Sequence, residues 1–297
     1  MNIELLANPG SGRGLGMERG KRIAELLSAR GHQVGFHAGR DGADAADWAA
    51  AASRIADRLV VVGGDGTLSA VLDGLEHGCP PLAVSPLGTA NLLAHRLKLS
   101  PRPEDTVVLV ERGHTVPLDV ATVRHEVDGE PVARRAFLCL GFGFDGELMR
   151  RMEAERQGPI LKVHYLKHLA EALIHWNPAP QRVTADGEEL GEFAYGILSG
   201  IGSYAAPQFR LCESVLDDGL WELVLFPDLN LLNGSLFAIA AAGGQLPKLP
   251  GVQVRRVREV RLTGPEPTPV QLDGDHVGAT PLECVLDGLQ VPVLVAS

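Results

Sequence analysis

Short apolar runs recur along the first third of the chain, each followed by a loop and a stretch with helical spacing. Ile3 to Ala7, Val34 to His37, Leu59 to Val62 and Leu82 to Ser85 have the length of strands. Leu59 to Val62 is apolar at every position, the pattern of a strand buried on both faces. The spacing predicts helices from the loop at Gly16 through Ala29, over Ala43 to Ala56, from Thr67 to Glu76 and from Asn91 to Leu97. Strand, loop and helix in repeated succession form a parallel sheet covered by helices. Sheets of this kind bind ligands at the carboxyl ends of their strands.

From about Val116 the pattern changes to alternation. Strands are predicted at Ala136 to Leu140, Arg182 to Ala185, Ala194 to Ser199, Leu220 to Phe226, Val252 to Thr263 and Pro269 to Leu272. Asp128-Gly129, Asp186-Gly187 and Asp273-Gly274 lie between such runs, and Asp-Gly is a strong hairpin signal. Helical stretches at Ile160 to Trp176 and Asn230 to Ala241 interrupt the strands. The expected fold is a doubly wound α/β domain over residues 1–115, then an antiparallel β-sandwich over 116–297.

Composition sharpens this picture in three places. Aromatic residues make up only 5%, so aliphatic side chains and alanine must fill the cores. A net charge of -10 lacks the footprint of a general nucleic-acid binder. Cys79, Cys139, Cys212 and Cys284 are far apart, as in a reduced protein rather than a disulfide frame or zinc site. Met1-Asn2-Ile3-Glu4-Leu5 has no charged leader with an apolar core, so a cytoplasmic location is expected.

Candidate chemistry gathers in three glycine-rich loops. Gly63-Gly64-Asp65-Gly66-Thr67 joins the most buried strand to a helix. Glycines let backbone N–H groups approach phosphate oxygens, and a helix N-terminus adds favourable charge. No Gly-Lys-Ser/Thr follows, so this is not a Walker loop. A carboxylate beside phosphates repels them unless a cation or hydroxyl intervenes, so Asp65 points to Mg²⁺ or nucleotide hydroxyls; in a plain turn it would cap the helix. Ser85-Pro86-Leu87-Gly88-Thr89-Ala90-Asn91 takes the same place after the next strand, as the second wall of one cleft. Asn8-Pro9-Gly10-Ser11-Gly12-Arg13-Gly14 follows the first strand and suits phosphate or adenosine contacts.

These loops, in this order, resemble the diacylglycerol kinase catalytic domain, specifically the bacterial lipid kinases of that superfamily. Asn8-Pro9, Ser11-Gly12, Gly63 to Thr67 and Pro86 to Asn91 match, as do Asp217-Asp218-Gly219-Leu220 and Leu272-Asp273-Gly274-Asp275 later in the chain. The resemblance implies an α/β domain that holds ATP, a β-sandwich that completes the site, and a last strand, Val291 to Val295, packing back on the first domain. It implies that Asn8, Ser11, Gly12, Gly63, Gly64, Asp65, Gly66, Thr67, Gly88, Thr89, Asn91 and Asp275 surround the nucleotide. Asp65 and Asp273 are the implied catalytic carboxylates, Asp273 as the base that takes the acceptor's proton. On spacing alone, Asp273 is a hairpin residue. A structural Mg²⁺ would fall on Asp218, with carbonyl oxygens of Val215 and Leu220. A lipid substrate, contact with a membrane surface and a homodimer are further implications.

Two other readings stay open. An NAD kinase would share the Gly63 to Thr67 loop and the β-rich second half, but the Asn-Glu pair expected in the next βα region is absent. A catalytically silent nucleotide or lipid sensor is raised by Asp275, where the family usually has Glu, and by the lack of a Thr near Gly39. Leu92 also departs from the Asp that many relatives carry. His164, His168 and His175 share a predicted helix with Lys162 and Lys167, and Arg255, Arg256, Arg258 and Arg261 form a local basic run.

Overall fold

The computed structural model describes residues 1–127, 129–154, 179–204, 206–226 and 231–296. They form two compact units, Met1–Val120 with Gly288–Ser297, and Ala121–Asp287.

In the first unit, β1 (Asn2–Ala7), β2 (Gln33–Ala38), β3 (Arg58–Gly63) and β4 (Leu82–Pro86) run parallel. β5 (His114–Asp119) and β20 (Gln290–Val295) complete the sheet in the order β2-β1-β3-β4-β20-β5. The chain steps from β1 outward to β2, then returns to place β3 on the other side of β1. That reversal is a topological switch point, the usual ligand crevice of an open α/β sheet. The loops after β1, β3 and β4 all lie at this carboxyl edge.

Both faces of the sheet are covered. α1 (Gly16–Ala29) and α5 (Pro103–Arg112) pack Ile23, Leu27, Val107 and Val110 against Ile3, Leu5, Val60, Val62 and Leu294. α2 (Gly42–Ala52) and α3 (Asp65–Asp73) pack on each other and bury Ala45, Ala49, Leu68, Val71 and Leu72. Every apolar residue of Leu59 to Val62 is buried, which explains the unbroken run. Hydrophobic spacing does not announce α5, although Pro103, Glu104 and Asp105 in its first turn are start signals.

β20 runs parallel to β4 at Val293 and antiparallel to β5 from Gln290 opposite Asp119 to Val295 opposite His114. Because β5 pairs within this sheet, the first unit extends to Val120 rather than 115, and takes in residues 288–297.

The second unit, among the described residues, has two six-stranded antiparallel sheets. Its strands are β6 (Ala121–Val127), β7 (Glu130–Ala136), β8 (Cys139–Phe142), β9 (Gln181–Ala185), β10 (Glu188–Phe193) and β11 (Tyr195–Ser199). A separate small hairpin joins β12 (Ser203–Tyr204) and β13 (Ala206–Arg210). Then come β14 (Trp221–Phe226), β15 (Gln253–Val257), β16 (Glu259–Thr263), β17 (Pro269–Leu272), β18 (Asp275–Ala279) and β19 (Leu282–Val285). One sheet runs β10-β9-β16-β19-β6-β7 and the other β15-β14-β11-β8-β17-β18. Val123, Val183, Val260 and Leu262 from the first share a core with Leu140, Phe142, Trp221 and Leu223 from the second.

The turns at Asp186-Gly187 and Asp273-Gly274 have positive φ at both residues (48° and 82°; 51° and 97°), as two-residue hairpins of the primed type require. The expected strand from Val252 to Thr263 is two strands in different sheets. The chain changes sheet at Arg258, where the Asp186 carboxylate accepts the Arg258 and Glu259 N–H groups at 3.0 and 2.8 Å. α6 (Phe144–Ala154) was not anticipated, and α7 (Leu231–Ala242) occupies the second interrupting stretch. The helix expected over 160–176, with its histidines and lysines, lies outside the described residues, as does Asp128. Among the described residues no helix is long and apolar enough to cross a membrane.

Candidate active site

The three loops of the first unit are tied to one another by their own side chains. Asn8 Oδ1 accepts the Gly10 N–H at 2.9 Å, and Asn8 Nδ2 donates to Thr67 Oγ1 at 2.8 Å, joining the first loop to α3. The Ser11 N–H donates to the Asn8 carbonyl at 3.1 Å, and the Leu87 N–H to the Gly63 carbonyl at 2.8 Å. Gly64 and Gly88 meet backbone to backbone: a Cβ on Gly64 would lie 2.7 Å from Gly88 Cα. Only glycine allows that approach. Asn91, in the left-handed region at φ 48°, clamps Gly88 from both sides. Its Oδ1 accepts the Gly88 N–H at 2.8 Å, and its Nδ2 donates to the Gly88 carbonyl at 2.9 Å.

Asp65 does not cap its own helix. Its Oδ2 accepts the Leu92 N–H at 2.9 Å, at the start of α4 (Leu92–Arg96). Burial pushes the Asp65 carboxyl above the ordinary aspartate range, and amide donors at Leu92, Leu93 and Asn91 oppose that rise. Asp65 therefore latches the second loop to the third. Gly66, Gly88 and Thr89 remain exposed, with Ser11 and Gly12 partly so. The Gly88 and Ser11 N–H groups are spent within the loops, so the rim offers the N–H groups of Gly12, Gly66 and Thr89 with the hydroxyls of Ser11 and Thr89, the chemistry that receives phosphate.

In the second unit, Asp273 sits in the β17–β18 turn with its carboxylate pinned by backbone amides. Oδ1 accepts from Leu138 at 2.9 Å and Cys139 at 3.0 Å, and Oδ2 from Phe137 at 3.2 Å. Asp275, two residues on, is exposed at the start of β18.

A residue that sequence reasoning missed stands behind this turn. Asp145, in the first turn of α6, is only 1% exposed. Its Oδ1 accepts from the Tyr204 hydroxyl and its Oδ2 from Gln271 Nε2 at 2.8 Å. Burial pushes the Asp145 carboxyl up to about 6, with both hydrogen bonds opposing. The available signal was Gly141-Phe142-Gly143-Phe144-Asp145, a glycine-rich passage from strand to helix. A Cβ on Gly141 would lie 2.0 Å from Asp145 Oδ2, so the glycine makes room for the carboxylate.

The segment proposed for a structural cation carries a different partner. Asp218 Oδ2 pairs with the Arg256 guanidinium, and Asp218 Oδ1 accepts the Leu220 N–H at 3.1 Å. Arg256 also approaches the buried Glu222 at 3.6 Å. In this arrangement Val215, Asp218 and Leu220 do not fit a cation, because an arginine meets the charge of Asp218. Among the described residues no cluster of three or more His, Cys, Asp or Glu side chains forms a metal site.

A family model described as "Diacylglycerol kinase catalytic domain" matches residues 2–123, and one described as "YegS C-terminal NAD kinase beta sandwich-like domain" matches residues 139–295. The chain is 26% identical to a diacylglycerol kinase of Bacillus subtilis (strain 168), over 95% of this chain and 92% of that one. It is 30% identical to a protein named "Probable lipid kinase YegS-like" of Xanthomonas euvesicatoria pv. vesicatoria (strain 85-10), over 73% of this chain and 72% of that one. In fold it is similar to a crystal structure of a diacylglycerol kinase from Bacillus anthracis str. Sterne, with TM-score 0.72, 18% identity and coverage of 99% and 97%. Yeast NADH kinase is more distant, with TM-score 0.55, 11% identity and coverage of 100% and 84%. With both family models matched in order along nearly its whole length, the chain belongs to the family of diacylglycerol kinases and YegS-like lipid kinases.

Proposed function

We propose that this chain transfers the γ-phosphoryl group of ATP to the hydroxyl of a lipid alcohol, with diacylglycerol as the leading candidate. The observation that carries the reading is the contact of Gly64 with Gly88, locked by Asn91 and Asp65 beside the β1/β3 switch point. Phosphoryl transfer is mostly positioning and charge stabilisation, so a rigid rim of backbone donors supplies much of what is needed.

In this reading Asn8, Ser11, Gly12, Gly63, Gly64, Gly66, Thr67, Gly88, Thr89 and Asn91 hold the nucleotide. Asp65 acts by holding two of the loops together. Mg²⁺ arriving with the nucleotide would neutralise phosphate charge. Asp273 takes the proton of the acceptor hydroxyl. Three backbone donors fix where its carboxylate stands, and a general base must first be within hydrogen-bond reach of its proton. Asp275 is exposed beside it at the start of β18.

The test supplies the purified protein with Mg²⁺, γ-labelled ATP, a mixed lipid extract and NAD together, followed by solvent partition. Label in the organic phase that is lost in Asp273→Asn supports the reading. Label in the aqueous phase on NAD would overturn it in favour of an NAD kinase. Tight ATP binding with no transfer to any lipid would indicate a sensor.

A further inference from the structure

Asp145 has no part in the chemistry assigned so far, and its burial needs a reason. Both of its hydrogen-bond partners, the Tyr204 hydroxyl and the Gln271 amide, are neutral. A carboxylate out of water without a cation costs stability, so an amide or a hydrocarbon would serve the fold better. Titratable groups on the elements packed against α6 are Cys139 on β8 and Asp275 and His276 on β18, with Tyr204 on β12 and Asp273 in the turn. On α6 itself, Glu147 is paired with Arg150 and Arg151.

What a carboxylate does that neutral groups do not is dictate the orientation of an amide. It only accepts, so the NH₂ end of Gln271 must face it. The Gln271 carbonyl is then turned the other way, where Oε1 accepts the Gly274 N–H at 2.8 Å. With the amide reversed, NH₂ would confront N–H and that bond would be lost. Gly274 is the second residue of the turn that presents Asp273, so a chain of two hydrogen bonds runs from Asp145 to the proposed base.

We propose that Asp145 is a positioning residue for phosphoryl transfer, locking the Asp273–Gly274 turn through the Gln271 amide. This rests on the reading of Asp273 as the base. Burial that raises the Asp145 carboxyl to about 6 still leaves it ionised at neutral pH, the state in which it orients the amide most firmly.

The test compares wild type with Asp145→Asn and Gln271→Met, using phosphatidylglycerol vesicles that contain dioleoylglycerol. Both variants should lower kcat by about 10- to 100-fold with little change in KM for ATP, the scale of a misplaced catalytic group. Asp145→Asn should nevertheless withstand more urea than wild type at neutral pH, with the difference narrowing as pH falls. A purely structural Asp145 would move stability and kcat down together, and that result, or an unchanged kcat, overturns the proposal. Hydrogen exchange at the Gly274 amide separates this inference from the activity on which it rests. If wild type transfers no label to dioleoylglycerol, that acceptor falls. Faster exchange at Gly274 in both variants would still sustain the lock, and unchanged exchange would remove it.

Discussion

Replacing Gly64 with alanine should force the two glycine loops apart. The new Cβ would lie 2.7 Å from Gly88 Cα and 3.3 Å from its nitrogen. Carbon atoms rest at about 3.5–4.0 Å, so the loops must part by roughly 1 Å. Gly88 cannot retreat cheaply, since Asn91 holds its N–H and carbonyl, and Leu87 is bonded to Gly63. Overpacking of this kind costs about 1–3 kcal/mol, and the neighbour here is backbone, so about 2–3 kcal/mol is expected. At about 2–4 °C per kcal/mol, melting should fall by about 5–10 °C. Gly66→Ala is the control. Nothing lies within 4 Å of a Cβ there, and the residue is in α3, so a gain of about 0.5 kcal/mol is expected. Calorimetry on both variants tests the stability, and titration with ATP should show at least about 10-fold weaker binding for Gly64→Ala, or about 1.4 kcal/mol. Melting of Gly64→Ala within about 1 °C of wild type, or an equal fall for Gly66→Ala, would refute the described contact.

Three further predictions follow from the other carboxylates. Asp65→Ala removes the acceptor at the start of α4 and should cost about 1 kcal/mol in urea unfolding, whereas Asp65→Asn keeps a carbonyl there and should lose less; equal losses would show that the charge matters rather than the acceptor. Asp145 keeps its proton to about 6 when folded but only to about 3.9 when unfolded, so its contribution to stability is full below the lower value and lost as pH rises through the higher. Asp145→Asn should therefore be more stable than wild type by up to roughly 3 kcal/mol near neutrality, with about half that gain at pH ~5; urea midpoints across this range check it, and a variant weaker at neutral pH would refute it. Chelation with EDTA should leave the melting temperature of the nucleotide-free protein unchanged, because Arg256 already meets Asp218; a fall reversed by Mg²⁺ would put a cation on that segment.

The first unit was largely legible because its signals are local. A run of apolar residues, a cluster of glycines and a helix start are contiguous in sequence, and Leu59 to Thr67 displays all three. Asp65 was legible as special, but its partner was not: the amide it accepts from belongs to Leu92, 27 residues away in another loop. The second unit was harder because antiparallel strands declare themselves only weakly. Val252 to Thr263 is continuous in sequence, and the change of sheet within it depends on Asp186, far back in the chain. α6 carries mixed charges and a short apolar face that do not stand out beside the strand before it. Asp145 was invisible for the same reason. Its burial and its two partners arise only when β8, β12 and β17 are brought together.

The pairing of β20 between β4 and β5 has a consequence for synthesis. Asp119 and Gln290 are neighbours in the sheet yet 171 residues apart in the chain. At ~5–20 residues per second, roughly 9–34 s separate their emergence from a ribosome. Throughout that interval the edge of β4 and all of β5 lack the strand that joins them, while the entire sandwich is translated between them. Exposed edges of this kind invite pairing with other chains. Nascent chains halted before residue 290 should therefore engage chaperones through the first unit, and release should coincide with delivery of β20. The three glycine-rich loops precede the sandwich in the chain, yet the sheet beneath them closes only after it.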